Sequence, residues 1–576
     1  MSMTNIPRAE YPRPQFVRDG WMNLNGIWQF EIDQGMSGRA RGLVETPLKD
    51  EILVPFCPES KLSGVHHTDF MACVWYRRTF TLPEAAQGKR VILHFGAVDY
   101  RTEVWVNGVS VGVHEGGYVS FSFEITKALK SGENVIVVCA EDDVKSGLQP
   151  SGKQCELYAS YGCMYTRTTG IWQTVWLEWV NEQYISSVKL TPDAVNNTLS
   201  IEAEVEGGLK GVTLCAQASF EGKDSGSVKA QGLGRVIRAT LNLTEAHYWN
   251  VGEPNLYDLK LTLVKDGAQV DTLDSYFGLR TVAFDGMKFT INGKPVFMRL
   301  VLDQGFYPDG IYTAPTDADL KRDIELSLAM GFNGARLHEK VFEARFLYWA
   351  DHMGYICWGE MANWGLDHSK IAGLAPFLKE WLQAVKRDYS APSIIGWCPF
   401  NETWDQNGHR QDDEVLRCVY RATKALDSSR PVIDTSGNFH VETDIFDVHD
   451  YEQNPEKFSE SYKAGTALIT DRFSDRQHYA GQPVFVSEYG GIWWQPGNEA
   501  GWGYGERPKS EEEFLARYKG LTEVLLNNPD HCGFCYTQLT DVEQEVNGLY
   551  TYERVPKFDP EIISAINRQK AACERD

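Results

Sequence analysis

Two glutamates stand where a carboxylate is unusual. Glu402 closes the apolar run in "GWCPFNETW" (396–404), between Trp397 and Trp404, and Glu488 closes "PVFVSE" in "PVFVSEYGG" (483–491). Carboxylates rarely leave water unless they are paired or employed. Two of them held face to face are what acetal hydrolysis needs. One, protonated, donates to the leaving oxygen; the other, ionised, attacks the anomeric carbon or activates water. A gap of roughly 5–5.5 Å implies retention of configuration and roughly 6.5–9.5 Å implies inversion. A single strand-end Glu is more often half of a structural ion pair. Two such ends, each flanked by rings, favour chemistry.

Such residues must be carried by strands whose ends meet. Ser393 to Trp397 reads as a short buried strand. After "TINGKPVFMRLVL" (290–302) the chain alternates strand and amphipathic helix. Thr316 caps a helix with Leu320, Ile324 and Leu328 on one face, and "FNGARLH" (332–338) follows as a strand. Phe377, Trp381 and Val385 mark a second helix, and further helices are expected near 413–426 and 511–527. The intervening strands are "PVIDTS", "IFDVHDY", "PVFVSEYGG" and "CGFCYTQLT". This rhythm predicts an eight-stranded (β/α) barrel, whose chemistry sits at the C-terminal strand ends. Three βα units separate the two glutamates, which puts them on nonadjacent strands across the barrel mouth. A doubly wound sheet fits less well, because no Gly-rich phosphate loop follows the first strand.

The preceding half is all β. Alternating strands around Asn107-Gly108, a tight hairpin signal, predict a β-sandwich from the N-terminus to residue 180, ending in "TGIWQTVWLEWV". Five or more strands between 181 and 282 predict an immunoglobulin-like sandwich. The expected division is therefore 1–180, 181–282 and 283–576. With 576 residues, several domains are required. The 17 Trp, 26 Tyr and 27 Phe suit sandwich and barrel cores and also sugar-stacking platforms. A net charge of -23 argues against nucleic acid or an anionic membrane as partner. No signal peptide or membrane span is visible, and the 12 Cys lack a disulfide-framework spacing, so a cytoplasmic location is expected.

These segments together resemble glycoside hydrolase family 2, which includes β-galactosidases, β-glucuronidases and β-mannosidases. "LNGIWQF" (24–30), "VWYRRTF" (74–80) and "GIWQTVWLE" look like its N-terminal jelly roll; "EPNLYDLKLTLV" and "YFGLRTV" (276–282) look like its immunoglobulin-like middle domain. "FNETW" and "SEYGG" look like its catalytic segments. The resemblance implies Glu402 as acid/base and Glu488 as nucleophile of a retaining exo-β-glycosidase, by default β-galactosidase-like. It implies Asn401 on the sugar 2-hydroxyl, Tyr451 steadying the nucleophile and Arg336 orienting its carboxylate. Relatives are often dimers or tetramers, so self-association is expected; neither cofactor nor metal is implied. The substrate is a small glycoside or an oligosaccharide end.

The sugar-binding loops depart from the family pattern. "VLDQGFYPDG" (301–310) and "RLHEKVFE" (336–343) stand where galactosidases and glucuronidases carry Asn-Arg-His-Glu and Arg-Thr-Ser-His-Tyr-Pro runs. Asp303, Gln304, His338, Glu339 and Glu360 then become candidate hydroxyl binders. The Asn-x-Lys that holds a uronate in glucuronidases reads Asn547-Gly548-Leu549, leaving Arg554, Arg507 or Lys509 as substitutes. A furanosidase or arabinosidase, or a glucuronidase or galacturonidase, are alternatives on the same mechanism. A non-catalytic carbohydrate-binding protein and a metal-dependent barrel hydrolase are alternatives in class. The loop 492–508 offers Trp493, Trp494 and Trp502 as stacking rings, and the loop 151–170 can reach the barrel mouth. "CGFC" (532–535) has metal or redox spacing but lies within a strand, which favours packing.

Overall fold

The computed structural model describes residues 6–575 except 209, 404–409, 464–472, 496 and 498–499; Trp404 and part of the 492–508 loop therefore lie outside the described residues. The first unit is a jelly-roll sandwich. A six-stranded sheet that includes Gly26–Ile32, Cys73–Thr81 and Glu133–Glu141 faces a four-stranded sheet containing Arg90–Phe95 and Val175–Val180. Trp28, Phe30, Tyr76, Leu93, Val104 and Leu177 fill the space between them. The hairpin at Asn107-Gly108 forms as its sequence requires. Both residues take positive φ, 51° and 80°, the conformation a two-residue turn needs between right-twisted strands.

The second unit packs the sheet Tyr184–Asp193, Thr198–Glu206, Val236–Asn242 against the sheet built from Val212–Phe220, Lys223–Gln231, Tyr257–Lys265 and Ala268–Phe277. This immunoglobulin-like sandwich grips the barrel through buried polar contacts. The Arg280 guanidinium donates to the carbonyls of Pro392 and Ile394, both at 2.6 Å, and Tyr276 donates to Asp351 at 2.8 Å. Trp249 Nε1 donates to the carbonyl of Asp351 at 2.8 Å.

The third unit is the TIM barrel. Its strands, in order, are Met298–Asp303, Gly334–Leu337, Ile356–Glu360, Ile394–Cys398, Thr435–Ser436, Phe446–Asp450, Val484–Gly490 and His531–Thr537. Seven form one curled parallel sheet, ordered fourth, third, second, first, eighth, seventh, sixth. The short fifth strand pairs with Phe400–Asn401, and Trp397 bridges Val432, so the fifth closes the gap. Helices Asp317–Ala329, Leu374–Asp388, Asp413–Leu426 and Glu511–Leu526 cover the outside where the apolar spacing requires them. Leu300, Leu302, Trp358, Cys398, Phe485, Cys532 and Cys535 fill the interior, so the "CGFC" cysteines pack as core. Among the described residues no helix is long and apolar enough to cross a membrane.

The third and fourth strands interlock by a reciprocal device. A Cβ on Gly359 would lie 2.7 Å from the Trp397 ring, and one on Gly396 would lie 2.4 Å from the Trp358 ring. Each indole thus occupies the space the opposite glycine leaves, which fixes the strand that delivers Glu402. Gly396→Ala is expected to overpack this interface and cost about 1–3 kcal/mol. Thermal denaturation should show a clearly lower midpoint; an unchanged midpoint would contradict the interlock.

Candidate active site

The C-terminal strand ends carry a largely buried polar cluster. Arg336, on the second strand, is 1 % exposed. Its Nε donates to Glu360 Oε1 at 2.5 Å, Nη1 to Glu488 Oε1 at 3.0 Å and to the Ser487 carbonyl at 2.9 Å, and Nη2 to Asn401 Oδ1 at 3.1 Å. Burial opposes the guanidinium's charge, but Glu360 and Glu488 outweigh it and hold the pKa well above its usual value. A guanidinium has its donors in a fixed fork. Satisfying them aligns the ends of the second, third, fourth and seventh strands.

Glu488 is 4 % exposed. Besides Arg336, its other oxygen accepts from the Tyr451 hydroxyl. Tyr451 also meets Thr537 at 3.1 Å and stacks on Tyr504, ring centroids 3.4 Å apart. Glu402 projects from a left-handed backbone (φ 46°), a conformation non-glycine residues seldom take, and one that recurs at functional sites. Its Oε1 lies 2.6 Å from His449 Nδ1. His449 Nε2 lies 2.9 Å from Ser436 Oγ and 3.4 Å from Glu488 Oε1. The imidazole therefore bridges the two carboxylates.

The network fixes where a proton resides. Asp447 accepts from the hydroxyls of both Ser436 and Ser487, so Ser436 has its hydrogen committed and accepts from His449 Nε2. Nδ1 then either carries a second proton or accepts one from Glu402; both cases place a proton on the 2.6 Å Nδ1···Oε1 line. Burial lowers the His449 pKa, but Glu488 and the contact with Glu402 outweigh it and raise the value. Oxygen and nitrogen atoms of Glu402, His449 and Glu488 all lie within 4.8 Å of one another. Among the described residues this is the one group spaced to share a metal ion. The short Nδ1···Oε1 contact aims those two atoms at each other across a proton instead of at a common ion.

Asn401 presents its side-chain oxygen to Arg336, while its backbone is clamped by Asn363 and by Trp364 Nε1 at 3.0 Å. A cleft of about 820 Å³ leads down to Glu402. One wall comes from the first sandwich, residues 144–164, and the other from Trp364 to Ser369 of the barrel. The chain thus carries two opposed, tethered carboxylates at the foot of a cleft, an arrangement able to protonate one atom while attacking its neighbour.

Three sequence profiles match consecutive stretches of this chain. They are "Glycosyl hydrolases family 2, sugar binding domain" over 62–154, "Glycosyl hydrolases family 2" over 183–280, and "Glycosyl hydrolases family 2, TIM barrel domain" over 282–502. The chain belongs to glycoside hydrolase family 2. A β-galactosidase of Thermoanaerobacter pseudethanolicus is 28% identical over 75% of this chain and 57% of its own length. A putative β-glucuronidase of Formosa agariphila is 27% identical, covering 72% and 50%. The chain therefore spans about half the length of these two relatives. A β-glucuronidase of Paenibacillus borealis is 24% identical over 95% and 96%. The fold matches that of Bifidobacterium dentium β-glucuronidase, complexed with coumarin-3-O-glucuronide, with TM-score 0.81, 19% identity and coverage of 96% and 98%.

Within this family frame, the structure brings Glu402, Glu488, Asn401, Tyr451, Arg336, His338 and Glu360 into one cluster. His338 Nδ1 lies 3.4 Å from Glu360 and 3.9 Å from Glu488; burial, then nearby cations led by Lys153, push its pKa well down and keep it neutral. Glu339 is buried beside it, Oε2 accepting from the Trp364 amide at 3.1 Å, and burial pushes its pKa well up. Asp303 stands apart. It alternates with inward Leu300 and Leu302 and so faces the outer layer, near Asp323 and Arg554; burial and then Asp323 push its pKa up to about 7. Gln304 spans Tyr165 at 2.8 Å and Gln538 at 2.7 Å, tying the first domain to the barrel. Trp494 packs toward Phe514, and Trp493 is half-buried behind Gly503.

His449 escaped the sequence reading although it sits in "DVHDY". Strand alternation was the available signal: Asp447, His449 and Tyr451 share one face. Tyr504, Trp364 and Lys153 had no comparable mark. Beneath the cluster, His440 joins the fifth and sixth strands, Nδ1 lying 2.8 Å from Asp434 and Nε2 3.0 Å from the Asp447 carbonyl. Burial disfavours its charge, but Asp434 and then Asp447 outweigh that and raise the pKa to about 9. A raised folded-state pKa stabilises fully below the unfolded value of about 6.5 and is lost as pH climbs through the folded value. The stability gap between wild type and His440→Gln should accordingly be widest near pH 6, shrink as pH rises from there towards 9, and be largely gone above pH 9. Denaturant melts across that range check it, and a gap that widens with pH would contradict it.

Proposed function

We propose that this protein is a retaining exo-β-glycosidase that removes a terminal β-linked sugar by double displacement, with a β-galactoside-type substrate as the default. The observation carrying this reading is the carboxylate spacing: Glu402 and Glu488 bring oxygens within 4.8 Å of each other. That approach supports the closer carboxyl spacing of retaining enzymes, roughly 5–5.5 Å, over the roughly 6.5–9.5 Å of inverting ones. Similar proteins are named β-galactosidase and β-glucuronidase, which supports a hexopyranoside or its uronic acid counterpart.

In this reading Glu488, oriented by Arg336 and Tyr451, attacks the anomeric carbon. The C1–O bond breaks as the proton held between Glu402 and His449 passes to the leaving oxygen. Water then gives a proton to Glu402 and its oxygen to C1, and the ester to Glu488 is cleaved. His449 adds to the two-carboxylate scheme. It keeps a proton beside Glu402 without requiring apolar surroundings to do so. The tether of Glu488 to Arg336 and Tyr451 supports a working nucleophile over a non-catalytic barrel. Twelve unpaired cysteines support action in a reducing, cytoplasmic setting, and self-association remains part of the proposal.

Glu488→Ala is expected to lower kcat by roughly 10⁴-fold or more, and Glu402→Ala by roughly 10²–10⁴-fold. Proton NMR of the first-formed sugar should show the β-anomer. An α-anomer, or full activity in Glu488→Ala, would sink the reading.

A further inference from the structure

Lys153 is a buried cation at the barrel mouth that the reaction above leaves unused. It belongs to the first sandwich and is 5 % exposed. Its loop is fastened on both sides. The amides of Ser151 and Gly152 donate to the Trp364 carbonyl at 2.8 and 3.0 Å, and the Tyr165 amide donates to the Lys153 carbonyl at 2.7 Å. Gly152, at φ +58°, presses so closely on the barrel that a Cβ there would lie 2.4 Å from the Glu339 carbonyl. The side chain is thereby aimed across the Trp364 ring, with Nζ 3.8 Å from the ring centroid. Trp364 itself lines the cleft and holds the carbonyl of Asn401, the residue before Glu402. Lys153 is close enough to Glu339, Glu402, Glu545 and His338 to act on them electrostatically.

A buried ammonium ordinarily has a carboxylate in contact, because an uncompensated charge away from water is costly. Among the described residues, Lys153 Nζ has no hydrogen bond and no ion pair. The adjacent acids are otherwise engaged. Glu545 accepts from Tyr165 and from Asn547, and Glu339 accepts from Trp364. Burial raises the pKa of both, which favours their neutral forms. Other cations nearby have their partners: Arg554 holds Asp323, Lys557 holds Asp541 at 2.6 Å, and Arg336 holds Glu360 and Glu488. One charged group with open donors therefore stands against Trp364, a wall of the cleft, and within electrostatic reach of Glu402 at its foot.

We infer that Lys153 binds a carboxylate carried by the sugar ring, so that this site selects anionic β-uronosides over neutral glycosides, which replaces the neutral β-galactoside default by its uronic acid counterpart. The ligand supplies the counter-charge the protein withholds, and the Trp364 face holds the ammonium in place. The inference rests on the glycosidase reading, and the test uses two readouts that separate them. The first is kcat/KM for 4-nitrophenyl β-glucuronide and β-galacturonide, each against its matched neutral glucoside or galactoside, in wild type, Lys153→Met and Lys153→Arg. The wild type should prefer the uronide of at least one pair. That preference should fall by roughly 30-fold or more in Lys153→Met and recover in part in Lys153→Arg. Equal losses on both members of a pair, or an unchanged preference, overturn the inference. The second is calorimetric binding of free D-glucuronate and D-galacturonate against D-glucose and D-galactose, with thermal melts confirming that the variants fold. Tighter uronate binding that disappears in Lys153→Met sustains the inference even if no glycoside is cleaved, in which case the hydrolase reading is what fails. Hydrolysis of neutral glycosides with no uronate preference in either readout leaves the hydrolase standing and removes this assignment.

Discussion

A guanidinium shut away from water must spend its donors on protein atoms, and Arg336 is such a group. Its fork reaches Glu360, Glu488, the Ser487 carbonyl and Asn401, so four of the barrel's strand ends are held in fixed relation by one side chain. Breaking a buried pair by removing one partner typically costs about 3–5 kcal/mol, so the arrangement resists loss of any one of these contacts. In the proposed reaction such fixing matters because a nucleophile must stay close to its line of attack. Tyr451 holds the other oxygen of Glu488, so the carboxylate has lost its rotational freedom before any substrate arrives.

The second consequence concerns protons. Glu402 ends its strand in a left-handed turn and meets His449, whose far nitrogen is anchored through Ser436 to Asp447. Apolar surroundings are one way to keep a carboxyl group protonated. The structure supplies an imidazole instead, with a proton confined to a 2.6 Å contact. The cost of burying that polar chain is met by continuity, since each hydroxyl and ring nitrogen has a partner. The chain ends in the His440 pair below, which supplies positive charge to the acidic floor.

Much of this was legible beforehand. Helical spacing located Asp413–Leu426 and Glu511–Leu526, because an amphipathic helix writes its period into the chain. Asn107-Gly108 announced its hairpin for the same kind of local reason. Glu402 and Glu488 stood out as strand-end carboxylates, because strand ends in a barrel converge; Arg336 and Tyr451 were named only through the family resemblance, and the structure sets both against Glu488. Asp303 and Gln304 also end a strand, yet their side chains turn to the outer layer and to Tyr165, a matter of residue parity and loop path that no single strand reveals. Lys153 was hidden for a stronger reason. Its position depends on how a loop of one domain docks on another, through the Trp364 carbonyl, and nothing local in "SGKQ" encodes that. The active site is a joint product of two domains, and only the barrel's share follows from strand-end rules.

The central claim is that Glu488 forms a glycosyl ester. The direct measurement is mass spectrometry of the protein after incubation with an activated 2-deoxy-2-fluoro-β-glycoside of the sugar it cleaves, which slows release of the ester more than its formation. The account predicts a single adduct on the peptide that contains "VFVSEYGG", absent in Glu488→Ala. An adduct on another residue, or continued turnover with no adduct at all, would contradict it.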